Sequence, residues 1–284
     1  MVLFLDSGVG GLAYLEEFLR RGNDLPCAYL ADTACFPYGE RSPESVRDRV
    51  IHLVRSWIQQ HGGGSREASP SAVVVACNTA SVVALQPLRA TFPVPFIGVV
   101  PAVKPAAGNT RSGSIAVLST SGTSRDPYTD DLVARFARHD RVIRLGLPRL
   151  VDAAERGVCC DDRVIRRVIQ EEVAERLDPE VDTVVLACTH FVRYRDVFQE
   201  LLGGNRTVVD SLEGVTRRLE DILADKDGRP GTRPAQRDTG MGAVGPTRTV
   251  TFYHTAPLPD HLRCLTDRYN TQLMTVVPSR VTIP

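Results

Sequence analysis

A chain of 284 residues has room for one large or two medium domains. Its 43% hydrophobic and 24% charged shares suit a globular fold with a real core rather than a disordered or fibrous chain. Lysine plus arginine number 34 and aspartate plus glutamate number 34, so the formal net charge is zero. That excludes a nucleic-acid binder relying on a broad basic face, because such binding gains affinity by neutralising phosphates.

No run approaches the ~20 apolar residues that span a bilayer. Met1-Val2-Leu3-Phe4-Leu5-Asp6 lacks a basic n-region and meets an acid too early for a signal peptide, so the expected compartment is the cytoplasm, with no membrane partner. Seven cysteines, an odd number without C-x-x-C pairs, read as free thiols in a reducing compartment rather than a disulfide framework or a zinc site. No metal site is expected.

Taken in chain order, short apolar runs alternate with amphipathic stretches. Residues 2–5, 28–30, 72–76, 96–100, 115–118, 142–145, 183–187 and 207–209 read as strands. Their near-continuous Val, Ile, Leu and Ala content suits parallel strands covered on both faces. Residues 11–21, 43–60, 81–90, 126–139, 161–177, 194–202 and 214–224 read as helices between them. A Gly-rich turn is expected at 62–65 and a mobile Gly/Pro/Arg-rich loop at 225–249. A late strand at 250–254 and a short helix within 258–269 close the chain. The alternation predicts an α/β fold.

The sequence echoes itself. Val73-Val74-Val75-Ala76-Cys77 and Val184-Val185-Leu186-Ala187-Cys188 both run an apolar strand into Ala-Cys, and Leu3-Phe4-Leu5-Asp6-Ser7 resembles Ala116-Val117-Leu118-Ser119-Thr120. The expectation is two similar doubly wound parallel-sheet domains with the active site in the cleft between them. The first comprises residues 1–98 and 208–284, the second 99–207.

Ligands of open α/β sheets bind beyond the carboxyl ends of strands. Polar clusters occupy four such ends: Asp6-Ser7-Gly8, Cys77-Asn78-Thr79, Ser119-Thr120-Ser121-Gly122-Thr123 and Cys188-Thr189-His190. Asp32 through Pro37-Tyr38-Gly39 follows another strand. One buried strand-end cysteine reads first as a small hydrophobe. Two in echoed positions, each at a strand-to-helix turn, read as paired thiolates. His190 stands two residues from one of them, and Asp6 reads either as a helix cap or as a site carboxylate. Cys27, Cys35, Cys159, Cys160 and Cys264 lack this context and read as structural.

Two cofactor readings compete. Gly8-Val9-Gly10-Gly11-Leu12-Ala13 fits the dinucleotide pattern G-x-G-x-x-A, with Asp32 where a ribose-binding acid would stand. Against it, a carboxylate such as Asp6 about 4 Å from a pyrophosphate charge costs on the order of 4 kcal/mol at an effective dielectric of 20. Pyridoxal phosphate needs a Schiff-base lysine, and the only lysines are Lys104 and Lys226, neither beside a phosphate cup. No cofactor is expected.

Together these segments resemble the aspartate/glutamate racemase family, and its glutamate branch in particular. The resemblance rests on Asp6-Ser7-Gly8-Val9-Gly10-Gly11, Asp32 with Pro37-Tyr38-Gly39, Ala76-Cys77-Asn78-Thr79-Ala80-Ser81 and Cys188-Thr189-His190. Thr120, Thr123, and Pro148 with Glu155 and Gly157 add weaker matches. It implies a cofactor-independent enzyme, a homodimer, that interconverts L- and D-glutamate for peptidoglycan. Cys77 and Cys188 would be the paired acid and base, partnered by Asp6 and His190, with Glu155 poising the Cys188 side. Asp6, Ser7, Tyr38, Gly39, Asn78, Thr79, Thr120, Thr189 and His190 would contact the substrate. Val192 departs from the family's proline, Leu147 from its small residue before Pro148, and the 225–249 loop from its usual length.

The chemistry agrees with those residue types. Racemising an α-carbon needs a proton removed from one face and delivered to the other, and thiols near neutral pH can do both. Without an electron sink, hydroxyl and amide donors must stabilise the developing charge. Aspartate racemisation by the same cysteines is the nearest rival, and a single-cysteine decarboxylase is less apt because both cysteines are present. A non-enzymatic two-domain amino-acid-binding protein is the alternative from a different class.

Overall fold

Val2-Leu3-Phe4-Leu5 has no polar face, so both its sides must be covered, and it forms a wholly buried strand at the centre of a parallel sheet. The computed structural model describes residues 1–61, 69–159, 162–226 and 250–274. Its first half runs β1 (Val2–Asp6), α1 (Leu12–Arg20), β2 (Cys27–Ala31), α2 (Pro43–His61), β3 (Ala72–Val75), α3 (Asn78–Thr91) and β4 (Phe96–Gly98). The second continues with α4 (Val103–Asn109), β5 (Ser114–Ser119), α5 (Ser121–Ser124), α6 (Pro127–Phe136), β6 (Arg141–Gly146), α7 (Pro148–Gly157) and α8 (Arg163–Ile169). It ends with β7 (Thr183–Ala187), α9 (Thr189–Val192), α10 (Arg195–Leu202) and β8 (Thr207–Val209). The chain then returns through α11 (Leu212–Lys226), β9 (Val250–His254), α12 (Cys264–Arg268) and β10 (Asn270–Leu273).

Two sheets result, and every described strand pair is parallel. One has the order β10-β9-β2-β1-β3-β4 and the other β6-β5-β7-β8. The orders β2-β1-β3-β4 and β6-β5-β7-β8 are the same. The echo in the sequence is therefore topological: β1 matches β5, and β3 matches β7. Cys77 and Cys188 stand beyond equivalent strands of two α/β domains. Helices cover the faces, α1 burying Phe18 completely, and Phe252 of β9 is equally buried in the same core. Truncating either to alanine costs about 3–5 kcal/mol.

Several expectations change. β8 stays paired with β7 through Val209, so a boundary at 207/208 cuts a strand of the second sheet. α3 begins at Asn78 rather than 81, because Cys77 in extended conformation already serves as its N-cap. The helix expected over 161–177 divides into α8 and a wide π-turn at Gln170–Ala174. α4, α7 and β10 were not foreseen: α4 and α7 carry proline near their starts, and β10 is a polar edge strand. α11 reaches Lys226, past the expected start of the loop. The remainder of that loop, the turn at 62–65 and Cys160 lie outside the described residues.

The free-thiol expectation fails at two positions. Cys159, just after α7, and Cys264, at the start of α12, form a disulfide with a Cα–Cα distance of 5.8 Å across 105 residues of sequence. The C-terminal segment folds back against the second domain, and sequence spacing could not reveal that meeting. Val192 and Leu147, the two departures from the family pattern, are both buried apolar side chains. Among the described residues, no helix is long and apolar enough to cross a membrane.

Candidate active site

β1 ends at Asp6, which has no exposed surface. Its carboxylate closes the following glycine turn on itself: Oδ1 accepts the Ser7 amide at 2.7 Å and Oδ2 the Gly11 amide at 2.7 Å. The Val9 amide donates across the cleft to Glu155 Oε2 at 3.0 Å. A Cβ on Gly8 would lie 2.7 Å from both Glu155 oxygens, and one on Gly10 would lie 2.5 Å from the His190 ring. The glycines thus admit the second domain, and carboxylates of the protein take the turn's amides. That arrangement removes the dinucleotide reading. Asp32 is likewise committed, gripped by Arg49 Nε at 2.8 Å and Nη2 at 2.6 Å.

Cys77 caps α3 just beyond β3 and is buried. Burial pushes its thiol well above the usual range, and the neighbouring Asp6 charge adds to the rise. Both causes favour the thiol form, the form that delivers a proton in the acid role. Asp6 is itself raised by burial, against the lowering influence of His190 and the Gly11 amide. Next to Cys77, Asn78 is buried and neither its Nδ2 nor its Oδ1 has a partner. An unsatisfied buried amide of this kind costs about 1–3 kcal/mol.

Cys188 holds the equivalent place beyond β7, with His190 Nδ1 3.8 Å from its sulfur. His190 Nε2 lies 2.6 Å from Glu155 Oε2, and both side chains are buried. Burial works against the imidazolium, but the hydrogen bonds to Cys188 and Glu155 and their charges outweigh it, so the net shift is well upward. In the charged form both ring nitrogens donate, one to each partner. Glu155 arrives on α7, where Pro148 at the first turn and apolar Leu150, Val151 and Ala154 turn one face inward.

Thr79 from the first domain meets Thr120 and Thr123 from the second. The Thr79 hydroxyl lies 3.2 Å from that of Thr120 and 3.3 Å from that of Thr123, which are 3.1 Å from each other. Thr189 Oγ1 donates to Asp6 Oδ2 at 3.5 Å. Gly39 packs where a Cβ would meet Thr120 at 2.6 Å. Thr79, Thr120, Thr189 and Gly39 line one pocket together with Ser7, Tyr38, Asn78, both thiols and His190, whereas Thr123 and Asp6 stand outside that lining. Glu155 stands behind His190 rather than in the lining.

Tyr38 lines the pocket but spends its hydroxyl elsewhere. Its hydroxyl donates to Asp32 Oδ2 at 2.7 Å, alongside Arg49 and Thr255. Phe36 and Val151 also line the pocket and were not singled out in the sequence, and Pro37 lines it as part of the Pro37-Tyr38-Gly39 motif. Proline at the start of α7 was the available signal for Val151, whereas nothing local marks Arg49. Lys104 lies over the Phe136 ring, 5.8 Å from its centroid, outside the lining. Among the described residues, no three metal-ligating side chains cluster.

The sequence profile of the family described as Asp/Glu/Hydantoin racemase matches residues 12–219. A glutamate racemase of Sphingopyxis alaskensis is 42% identical over 224 residues, 78% of this chain and 81% of that protein. One of Proteus mirabilis is 38% identical over 232 residues, covering 80% and 77%. The crystal structure of Escherichia coli glutamate racemase, in complex with L-glutamate and the activator UDP-MurNAc-Ala, superposes with a TM-score of 0.77 at 32% identity, covering 96% of each chain.

Proposed function

The chain belongs to the Asp/Glu/hydantoin racemase family, and from that membership we propose that it interconverts L- and D-glutamate without a cofactor, passing the α-proton between two thiols. The observation that carries this reading is one cysteine from each domain lining a single pocket, each with its own polar partner. The D-enantiomer would serve peptidoglycan synthesis.

The free enzyme enters the cycle with unlike thiols. Cys77 is held protonated by burial and by Asp6. Cys188 lies 3.8 Å from Nδ1 of His190; burial opposes the charged imidazole, but the hydrogen bonds to Cys188 and Glu155 hold it protonated. Cys188 takes the α-proton from one face while Cys77 delivers its own proton to the other. The pair is left with its protons exchanged, ready for the opposite enantiomer, and resets through solvent. Negative charge develops on the α-carboxylate during transfer. The Asn78 amide, the threonine hydroxyls and the N-terminus of α3 supply donors and positive potential for it. One such donor is worth roughly 100-fold to 1,000-fold in rate.

The test is dialysed enzyme in D₂O, followed by circular dichroism and mass spectrometry. L-Glutamate and D-glutamate should both racemise without additives. At low conversion the product should carry deuterium while recovered substrate does not. Equal labelling of substrate and product would replace two bases with one. Faster turnover of L-aspartate would shift the substrate to the shorter acid.

A further inference from the structure

We propose that Tyr29 is a positioning residue for the Cys77 half of the site, acting through Asp6 and the turn that follows it. The inference rests on the two-thiol reading above. Tyr29 lies on β2, register-paired with Phe4 of β1, and is completely buried. Its ring stacks on Phe252 with 5.2 Å between centroids and an interplanar angle of 15°. Phenylalanine would satisfy that packing equally well, so the hydroxyl needs its own reason.

The hydroxyl reaches under the end of β1. It donates to the Gly8 carbonyl at 3.0 Å and lies 3.4 Å from Asp6 Oδ2. A Cβ on Gly11, whose amide also holds Asp6 Oδ2, would come within 3.0 Å of it. Burial and nearby negative charge keep the phenol protonated far above neutrality, so it remains a donor throughout the working range. It touches neither the pocket nor a thiol. Its one proton is shared between the Gly8 carbonyl, the nearer acceptor, and Asp6 Oδ2, so it fixes the turn and, through the share that reaches Oδ2, favours the ionised form of the carboxylate that faces Cys77.

Asp6 is also faced by Tyr14 of α1, Glu155 of α7, His190 of α9 and the Cys77 thiol. A change in its titration is therefore read as a difference between variants, with those groups held constant. Tyr29→Phe should fold, keep KM within about twofold, lower kcat roughly tenfold (about 1.4 kcal/mol), and move the acid limb of the kcat/KM profile to higher pH. Site-specific 3-fluorotyrosine at position 29, a stronger donor of nearly the same shape, should move that limb to lower pH. It keeps the question decidable if Tyr29→Phe fails to fold. An unmoved acid limb in both variants, or a loss carried by KM alone, overturns the proposal. Cys77→Ala is run alongside. Racemisation retained there overturns the two-thiol reading itself, whereas loss there with unmoved limbs overturns only the role of Tyr29.

Discussion

Val9 and Glu155 meet across the cleft, the amide of the first-domain turn donating at 3.0 Å to the carboxylate that also binds His190 at 2.6 Å. Asp6 closes the same turn by accepting the Gly11 amide. One turn of backbone therefore touches the partner of each thiol. Cys188, His190 and Glu155 pair within the second domain, and the Val9 amide adds a donor to Glu155 from the first.

Gly10→Ala tests that coupling. Its Cβ would fall 2.5 Å from His190 Nδ1 and 2.7 Å from the His190 backbone nitrogen, and backbone cannot swing aside as a side-chain tip does. Overpacking of this sort costs about 1–3 kcal/mol. The variant should melt several degrees lower and lose racemisation by 100-fold or more. Wild-type turnover in a folded Gly10→Ala protein would show that the turn need not approach His190.

His190 makes stability depend on pH in a defined direction. Its folded pKa stands well above the ordinary 6.5, so the folded chain binds that proton more tightly than the unfolded one. The resulting stabilisation is complete below pH 6.5 and is lost as pH rises through the folded value. The melting temperature of the wild type minus that of His190→Gln should therefore be largest near about pH 6 and shrink towards about pH 9. A margin that grows with pH would mean that the imidazole is held neutral.

How much of this was legible in the sequence follows from how far apart the partners lie. Asp6, Cys77, Cys188 and His190 stand at strand ends, where apolar runs stop and polar residues begin, and each end can be read locally. The commitment of Tyr38 to Asp32 could not be read. It depends on Arg49 arriving from α2 and Thr255 from beyond β9. Glu155 was visible as a residue through the family pattern, but its helix was not among the expected elements. The amide of Val9 carries no sequence signal at all, because every residue except proline has one.

The Cys159–Cys264 disulfide closes 105 residues of chain, and the chain-entropy account assigns a loop of about 100 residues some 4–5 kcal/mol, with typical measured values of 2–4. Dithiothreitol should lower the melting temperature by several degrees and expose two further alkylatable thiols. Cys264→Ser should melt at the reduced value with or without reductant. Identical melting of the wild type in both conditions, with no added thiols, would show that the two cysteines do not pair in solution.

Asn78 sets stability against function. Its side chain is buried at the first turn of α3, lines the pocket, and has no partner for either amide atom. Leaving these groups unpaired costs about 1–3 kcal/mol in the free enzyme, and a substrate carboxylate or ammonium would recover it on binding. Leucine has nearly the same size and no polar atom to leave unpaired. Asn78→Leu should therefore raise the melting temperature of the free protein by about 2–4 °C, equivalent to roughly 1 kcal/mol in a chain of this length. The same variant should lose most of the further rise that glutamate gives the wild type, because the donor that glutamate would satisfy is gone. Turnover should fall at least 100-fold, the scale expected for one donor aimed at developing charge. The two readouts move in opposite directions only if the unpaired amide exists for the ligand. If Asn78→Leu destabilises the free protein while leaving the glutamate-induced rise intact, the amide is satisfied within the fold and the pocket is read by other groups.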